Sequence, residues 1–147
     1  MSTDQKSDHQ TPSHFSAIVF CVGAMLCFHH AAAAESPLLR CEVSYAGSTH
    51  TLDTQISEQP YLATMHDIGG RFSFKAVMIG TRKKIDYIKL YAYLQGRELD
   101  TPIHQATYQK PILVGKRMKA LTPFNHLYAG EVEREMQYQC FLGWHQK

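Results

Sequence analysis

The sequence predicts an all-β fold, a small antiparallel sandwich of two sheets with a small barrel as the alternative, stapled by one disulfide. Three observations carry this. Short stretches alternate apolar and polar residues with a period of two. Glycine or proline interrupts them at close spacing, as between the strands of a sandwich. Beyond the N-terminal apolar run, no segment sustains a helical period.

From Leu39 to Tyr45, Leu39, Cys41, Val43 and Tyr45 alternate with Arg40, Glu42 and Ser44, a half-buried strand. Ala46, Gly47 and Ser48 form a turn into Thr49 to Gln55, rich in β-branched threonine, so the two stretches make a hairpin. A looser stretch holding Pro60 and Met65 ends at Gly69 and Gly70, which permit a turn or bulge. Phe72, Phe74, Ala76 and Met78 then alternate with Ser73, Lys75, Val77 and Ile79 up to Gly80. The strongest period is in the next strand, where Ile88, Leu90, Ala92 and Leu94 alternate with Tyr87, Lys89, Tyr91 and Tyr93. Short strands are expected over 103–108 and 112–114. Pro123, Asn125 and Gly130 punctuate the stretch through Leu127 and Tyr128, before a last strand from Glu135 to Leu142. The expected core faces of the first and last strands carry Cys41 and Cys140 respectively.

The N-terminus has the order of a secretory signal peptide: a polar lead to His14, an apolar run from Phe15 to Phe28, then Ala31 to Ala34. The run is too short to cross a bilayer comfortably, which takes about 20 residues. Cleavage near Ala34 therefore divides the chain into a signal peptide, 1–34, and a single β-sandwich domain, 35–147. This cut removes Cys21 and Cys27 and leaves Cys41 and Cys140 to enter an oxidising compartment, where they are expected to bond to each other. Closing a loop of about 100 residues is worth up to about 4.7 kcal/mol in the chain-entropy model.

Fifteen bases against thirteen acids, a net charge of +2, give no concentrated basic field, so nucleic acid is not expected as a partner. No catalytic residue is assigned, because the sequence has no Gly-x-Ser-x-Gly elbow, no phosphate-cradling glycine loop and no His-Glu-x-x-His pair. Glu131, Glu133 and Glu135, spaced by two, are expected on one solvated face of a strand. For a metal, the sequence offers His50, His66, His104, His126 and His145, with Met65, Met118 and Met136 as soft donors. Met65-His66-Asp67 is the compact cluster, and imidazole with thioether suits copper. The histidines are otherwise scattered, so no metal site and no cofactor is assigned.

Two constellations point to binding. Tyr87, Lys89, Tyr91 and Tyr93 share one strand face, where phenols and an ammonium would form an amphipathic platform if exposed. The alternative is that these tyrosines pair across strands. The loops Arg82-Lys83-Lys84 and Lys116-Arg117-Met118-Lys119 are basic, and together would suit lipid phosphates or an anionic polymer. That reading requires both loops to lie at one end of the domain.

The stretches Cys41 to Gly47, Ile88 to Tyr93, His104 to Tyr108 and Tyr138-Gln139-Cys140 resemble those of small uncharacterised exported β-rich proteins of proteobacteria. The resemblance implies a Gram-negative envelope location and no particular activity. The expectation is a periplasmic or secreted, non-enzymatic binding or accessory module for an envelope protein or an anionic surface component. No stable membrane span is expected after signal cleavage. A periplasmic copper-binding protein is the alternative.

Overall fold

A computed structural model describes residues 35–144, and the expected signal peptide and His145 lie outside these residues. Nine strands follow in order: β1 (Pro37–Tyr45), β2 (Ser48–Gln55), β3 (His66–Ile68), β4 (Phe72–Thr81), β5 (Lys84–Leu94), β6 (Thr101–Gln109), β7 (Lys119–Ala120), β8 (Asn125–Ala129) and β9 (Arg134–Trp144). They form two antiparallel sheets, an open sandwich and not the closed barrel of the alternative. One sheet is the meander β3-β4-β5-β6. The other has the order β2-β1-β9, with β7 and β8 along the far edge of β9. The first and last strands are thus neighbours in the middle of one sheet, and the whole second sheet lies in the chain between them.

Period-two alternation decides the core. Leu39, Cys41 and Val43 of β1 and Met136, Tyr138, Cys140 and Leu142 of β9 face inward. Opposite them stand Phe72, Phe74, Ala76 and Met78 of β4 and Ile88, Leu90 and Ala92 of β5. Burying each large side chain is worth about 1.5–3 kcal/mol. Cys41 and Cys140 are directly opposed in the β1–β9 register and bonded, with Cα atoms 4.0 Å apart. The Cys140 backbone bonds away from β1: its carbonyl accepts from the Leu121 amide, and its amide donates to Thr122 Oγ1. The cysteines therefore form a non-hydrogen-bonded pair, the closer of the two antiparallel arrangements and the one that brings facing side chains together.

The β4 alternation does not stop at Gly80. The strand continues to Thr81, and Gly80 faces a bulge in β5, because Ile79 pairs with Tyr87 while Gly80 pairs with Ile85. Asp86 is the extra residue, and the phase shift it introduces turns Ile85 into the core along with Ile88. Gly80 has φ +152°, and a Cβ there would overlap the Lys84 carbonyl oxygen. A second bulge makes Ile103 the extra residue between the pairs Ala92–His104 and Tyr93–Pro102.

Three sequence expectations fail. Residues 112–114 are not a strand, because β7 and β8 occupy the free edge of β9. Residues 125–129, a punctuated stretch where no strand is expected, are strand β8. Glu131 and Glu133 lie in the β8–β9 turn, so they do not share a strand face with Glu135.

His104 illustrates how a histidine serves the core. On β6 it pairs with Ala92, and its Nε2 shares a 2.7 Å hydrogen bond with the hydroxyl of Tyr138, linking the two sheets. Burial pulls the imidazole below its ordinary value and pushes the Tyr138 phenol up to about 12. Since the folded state disfavours protonation of His104, the unfolded chain takes the proton first as pH falls. The stability from this group is full above about pH 6.5 and is lost as pH falls through the depressed folded value. Melting temperature should therefore fall between about pH 7.5 and pH 5, and His104→Gln should flatten that fall. Equal slopes for the two proteins would assign the pH dependence to other groups.

Candidate functional site

The turns divide between the two ends of the sandwich. At one end lie the start of β1, the end of β9, the β4–β5 turn and the β6–β7 connection, which share a groove of about 370 Å³. Pro37, Ile85, Pro111, Ile112, Leu113, Val114 and Trp144 supply its apolar walls, while Arg82, Lys83, Lys84 and Lys110 supply its cations. The expected basic loop Lys116-Arg117-Met118-Lys119 runs to the same end. Lys119 pairs with Leu142, and the Met118 backbone approaches Gly143 so closely that a Cβ there would lie 2.8 Å from the Met118 nitrogen and Cα. Gly143 adjoins Trp144 in the chain, so the second loop lies beside the groove that the first one lines.

Three of the basic residues are anchored by secondary structure: Lys84 begins β5, Lys119 begins β7, and Lys110 directly follows β6. Lys110 forms an ion pair with Asp86, whose carboxyl is held below the usual range by the ammonium's hydrogen bond. Asp86 is the residue extruded by the β5 bulge, so the local irregularity also sets one charge pair of the groove. Leu113, in the β6–β7 connection, is 90% exposed. A solitary exposed leucine is ordinary, but this one stands on an apolar wall next to cations.

The opposite end has the reverse character. It gathers the β1–β2, β3–β4, β5–β6 and β8–β9 turns, with Tyr45 packed edge-on against Phe72. Asp67, Glu98, Asp100, Glu131 and Glu133 lie there among Arg71, Arg97 and Arg134. Asp67 accepts hydrogen bonds from Gln95 Nε2 at 2.6 Å and the Gly70 amide at 3.2 Å, and Asp100 accepts from Ser73 Oγ at 3.1 Å. The domain is therefore polarised along the strands, cationic at the Trp144 end and richer in carboxylates at the other.

The tyrosine face lies on the outer surface of the β3–β6 sheet and is half-buried. Its groups mostly meet one another. The Tyr91 and Tyr93 rings stack at 6.4 Å, the Lys75 ammonium sits 5.8 Å from the Tyr91 centroid, and the Lys89 ammonium sits 5.5 Å from that of Tyr87. The short 3-10 turn Pro60–Leu62 overhangs this face, and Tyr61, Lys75, Val77, Tyr87, Lys89 and Tyr91 border a shallow groove of about 250 Å³. This is the lateral pairing expected of strand tyrosines, with a small groove beside it.

The potential metal donors do not converge. Successive residues of β3, His66 and Asp67 alternate in direction, and Asp67 is bonded by Gln95 and Gly70. His104 is bonded to Tyr138, His126 pairs with Glu135, and Met136 is buried in the core. Among the described residues, no group of three or more His, Cys, Asp or Glu could hold a metal ion. Sequence reasoning missed Trp144, Lys110 and Leu113 as groove residues. For Lys110 and Leu113 the signal is the apolar run Ile112 to Val114 set between Lys110 and Lys116, and for Trp144 the sequence holds none.

No protein-family model matches the chain, and no curated protein or solved structure is significantly similar to it.

Proposed function

We propose that the protein is an exported, non-enzymatic binding module of the bacterial envelope that takes an anionic component at its Trp144 end. The reading is carried by two basic loops, distant in sequence, at one end of the domain, the first lining an apolar groove and the second running beside it. Cations on rigid strand ends and tight turns present charge with little ordering cost on binding. The opposite polarity of the far end would orient the domain toward an anionic surface and favour encounter through that face. The tyrosine face is a weaker candidate, because stacking and cation–π contacts already engage its rings and two of its ammonium groups.

Trp144 is the only tryptophan of the chain, so its emission reports on the groove directly. Titration with inorganic polyphosphate should change that emission at low ionic strength, and salt should reverse the change. The double variant Lys83→Glu/Arg117→Glu, one substitution in each loop, should weaken the apparent affinity at least tenfold, at roughly 1 kcal/mol per cation removed. Unchanged affinity in a folded variant would refute the site, as would no response of the parent protein.

A further inference from the structure

We infer that the anionic component is the surface of a lipid bilayer, which the domain meets end-on, inserting Leu113 between headgroups that the surrounding cations hold. This rests on the proposed anionic site and names its occupant. A site for a purely polar polyanion needs charge, whereas this end combines charge with an apolar element that has nothing to do in such a site. Leu113 is 90% exposed, and it shares the groove wall with Ile112, Val114, Pro37 and Trp144. An apolar side chain projecting from a cationic rim matches the layered chemistry of a bilayer surface, with phosphates outside and acyl chains beneath. Tryptophan favours that boundary, since its ring is apolar and its N–H keeps a polar partner.

The charge layout fits the same geometry. The Arg82–Lys84 turn and Lys110 line the same groove as Leu113, and the Lys116–Lys119 stretch follows the Leu113 segment in the chain and leads into β7, which pairs with β9. The long stems of lysine and arginine can lie along apolar surface while their heads reach phosphate. The carboxylates at this end include Asp86, engaged by Lys110, the exposed Glu35 just ahead of β1, and the exposed Glu58, next to Ser57, whose carbonyl accepts from the Gly80 amide, so the seven bases of the two loops and Lys110 outnumber them. The far end, where carboxylates outnumber the arginines Arg71, Arg97 and Arg134, is less attractive to an anionic surface, which favours approach by the Trp144 end. The contact proposed is peripheral, made by one end of the domain.

The test uses the exported protein recovered from the periplasm of an expressing bacterium. It is sedimented with vesicles of phosphatidylcholine alone or with an equal part of phosphatidylglycerol, while polyphosphate binding is followed in parallel. Binding to the anionic vesicles alone, with Trp144 emission shifted to the blue, is expected. Leu113→Ser should lower vesicle partitioning about tenfold, the loss of one buried leucine, and lower polyphosphate affinity far less, because this wall residue brings no charge to a polyanion. Lys83→Glu/Arg117→Glu should weaken both. Polyphosphate binding without vesicle binding would overturn the lipid inference and leave the anionic site standing. Vesicle binding indifferent to Leu113→Ser would overturn it equally. Binding to neither probe would remove both.

Discussion

Replacing Cys41 and Cys140 together by alanine should lower the stability of the domain by about 2–5 kcal/mol, a fall of roughly 10–25 °C in melting temperature for a domain of this size. The reason lies in the topology. The bond joins neighbouring central strands of one sheet, but the chain between them, 99 residues of sequence separation, includes the entire other sheet. Without the crosslink, the unfolded chain regains the freedom of that long loop, while the folded state changes little because β1 and β9 remain hydrogen-bonded partners. Both cysteines are fully buried, so the alanine pair also removes packed sulfur. Reduction of the parent protein under denaturing conditions, followed by refolding with reductant present, separates the two effects. A large loss on reduction, close to that of the variant, is expected. A loss seen only in the variant would assign the effect to packing, and no loss in either would contradict the structural role of the bond.

The second large effect is expected at Gly80. Alanine there must adopt a positive φ and place a Cβ against the Lys84 backbone carbonyl, with the Asp86 amide only 3.0 Å away. Backbone cannot step aside as a flexible side-chain end does, so the bulge itself must rearrange. Strain at such a position together with overpacking costs about 3 kcal/mol. The damage should also reach function, because Gly80 closes the turn that carries Arg82, Lys83 and Lys84, and the same bulge extrudes Asp86 toward Lys110. Urea denaturation should show a clearly lower midpoint, and polyphosphate should bind the folded fraction more weakly. A midpoint equal to that of the parent would mean that the β4–β5 bulge is absent in solution.

Much of this fold was legible in the alternation of particular residues. Leu39, Cys41 and Val43, then Ile88, Leu90 and Ala92, and Met136, Tyr138, Cys140 and Leu142 all face the core as their period of two requires. The disulfide was legible because both cysteines fall in phase with that period. What escaped were features that depend on a second strand. Nothing local in Asn125 to Ala129 distinguishes a strand from a loop, since its pairing is dictated by the exposed edge of β9. Conversely, Ile112 to Val114 looks like a strand but finds the β9 edge taken, and its apolar side chains instead wall a groove. The bulge at Asp86 was hidden for the same reason, because an extra residue exists only relative to a partner.

The candidate site was legible in its parts and not in its assembly. Both basic loops could be read from composition, but their meeting depends on β1 and β9 being adjacent, so that Pro37 and Trp144 lie opposite each other. The tyrosine row was legible as a face, yet its partners Lys75 and Tyr61 come from β4 and the overhanging 3-10 turn, which alternation cannot supply.

The most direct measurement is a residue-resolved one: amide and indole chemical shifts of the isotopically labelled protein during titration with polyphosphate. Shifts concentrated at 82–85, 110–119 and the Trp144 indole, scaling together to a single saturation curve, are predicted. Shifts centred on Tyr87 to Tyr93, or dispersed over the surface without saturation, would contradict a built anionic site at the Trp144 end.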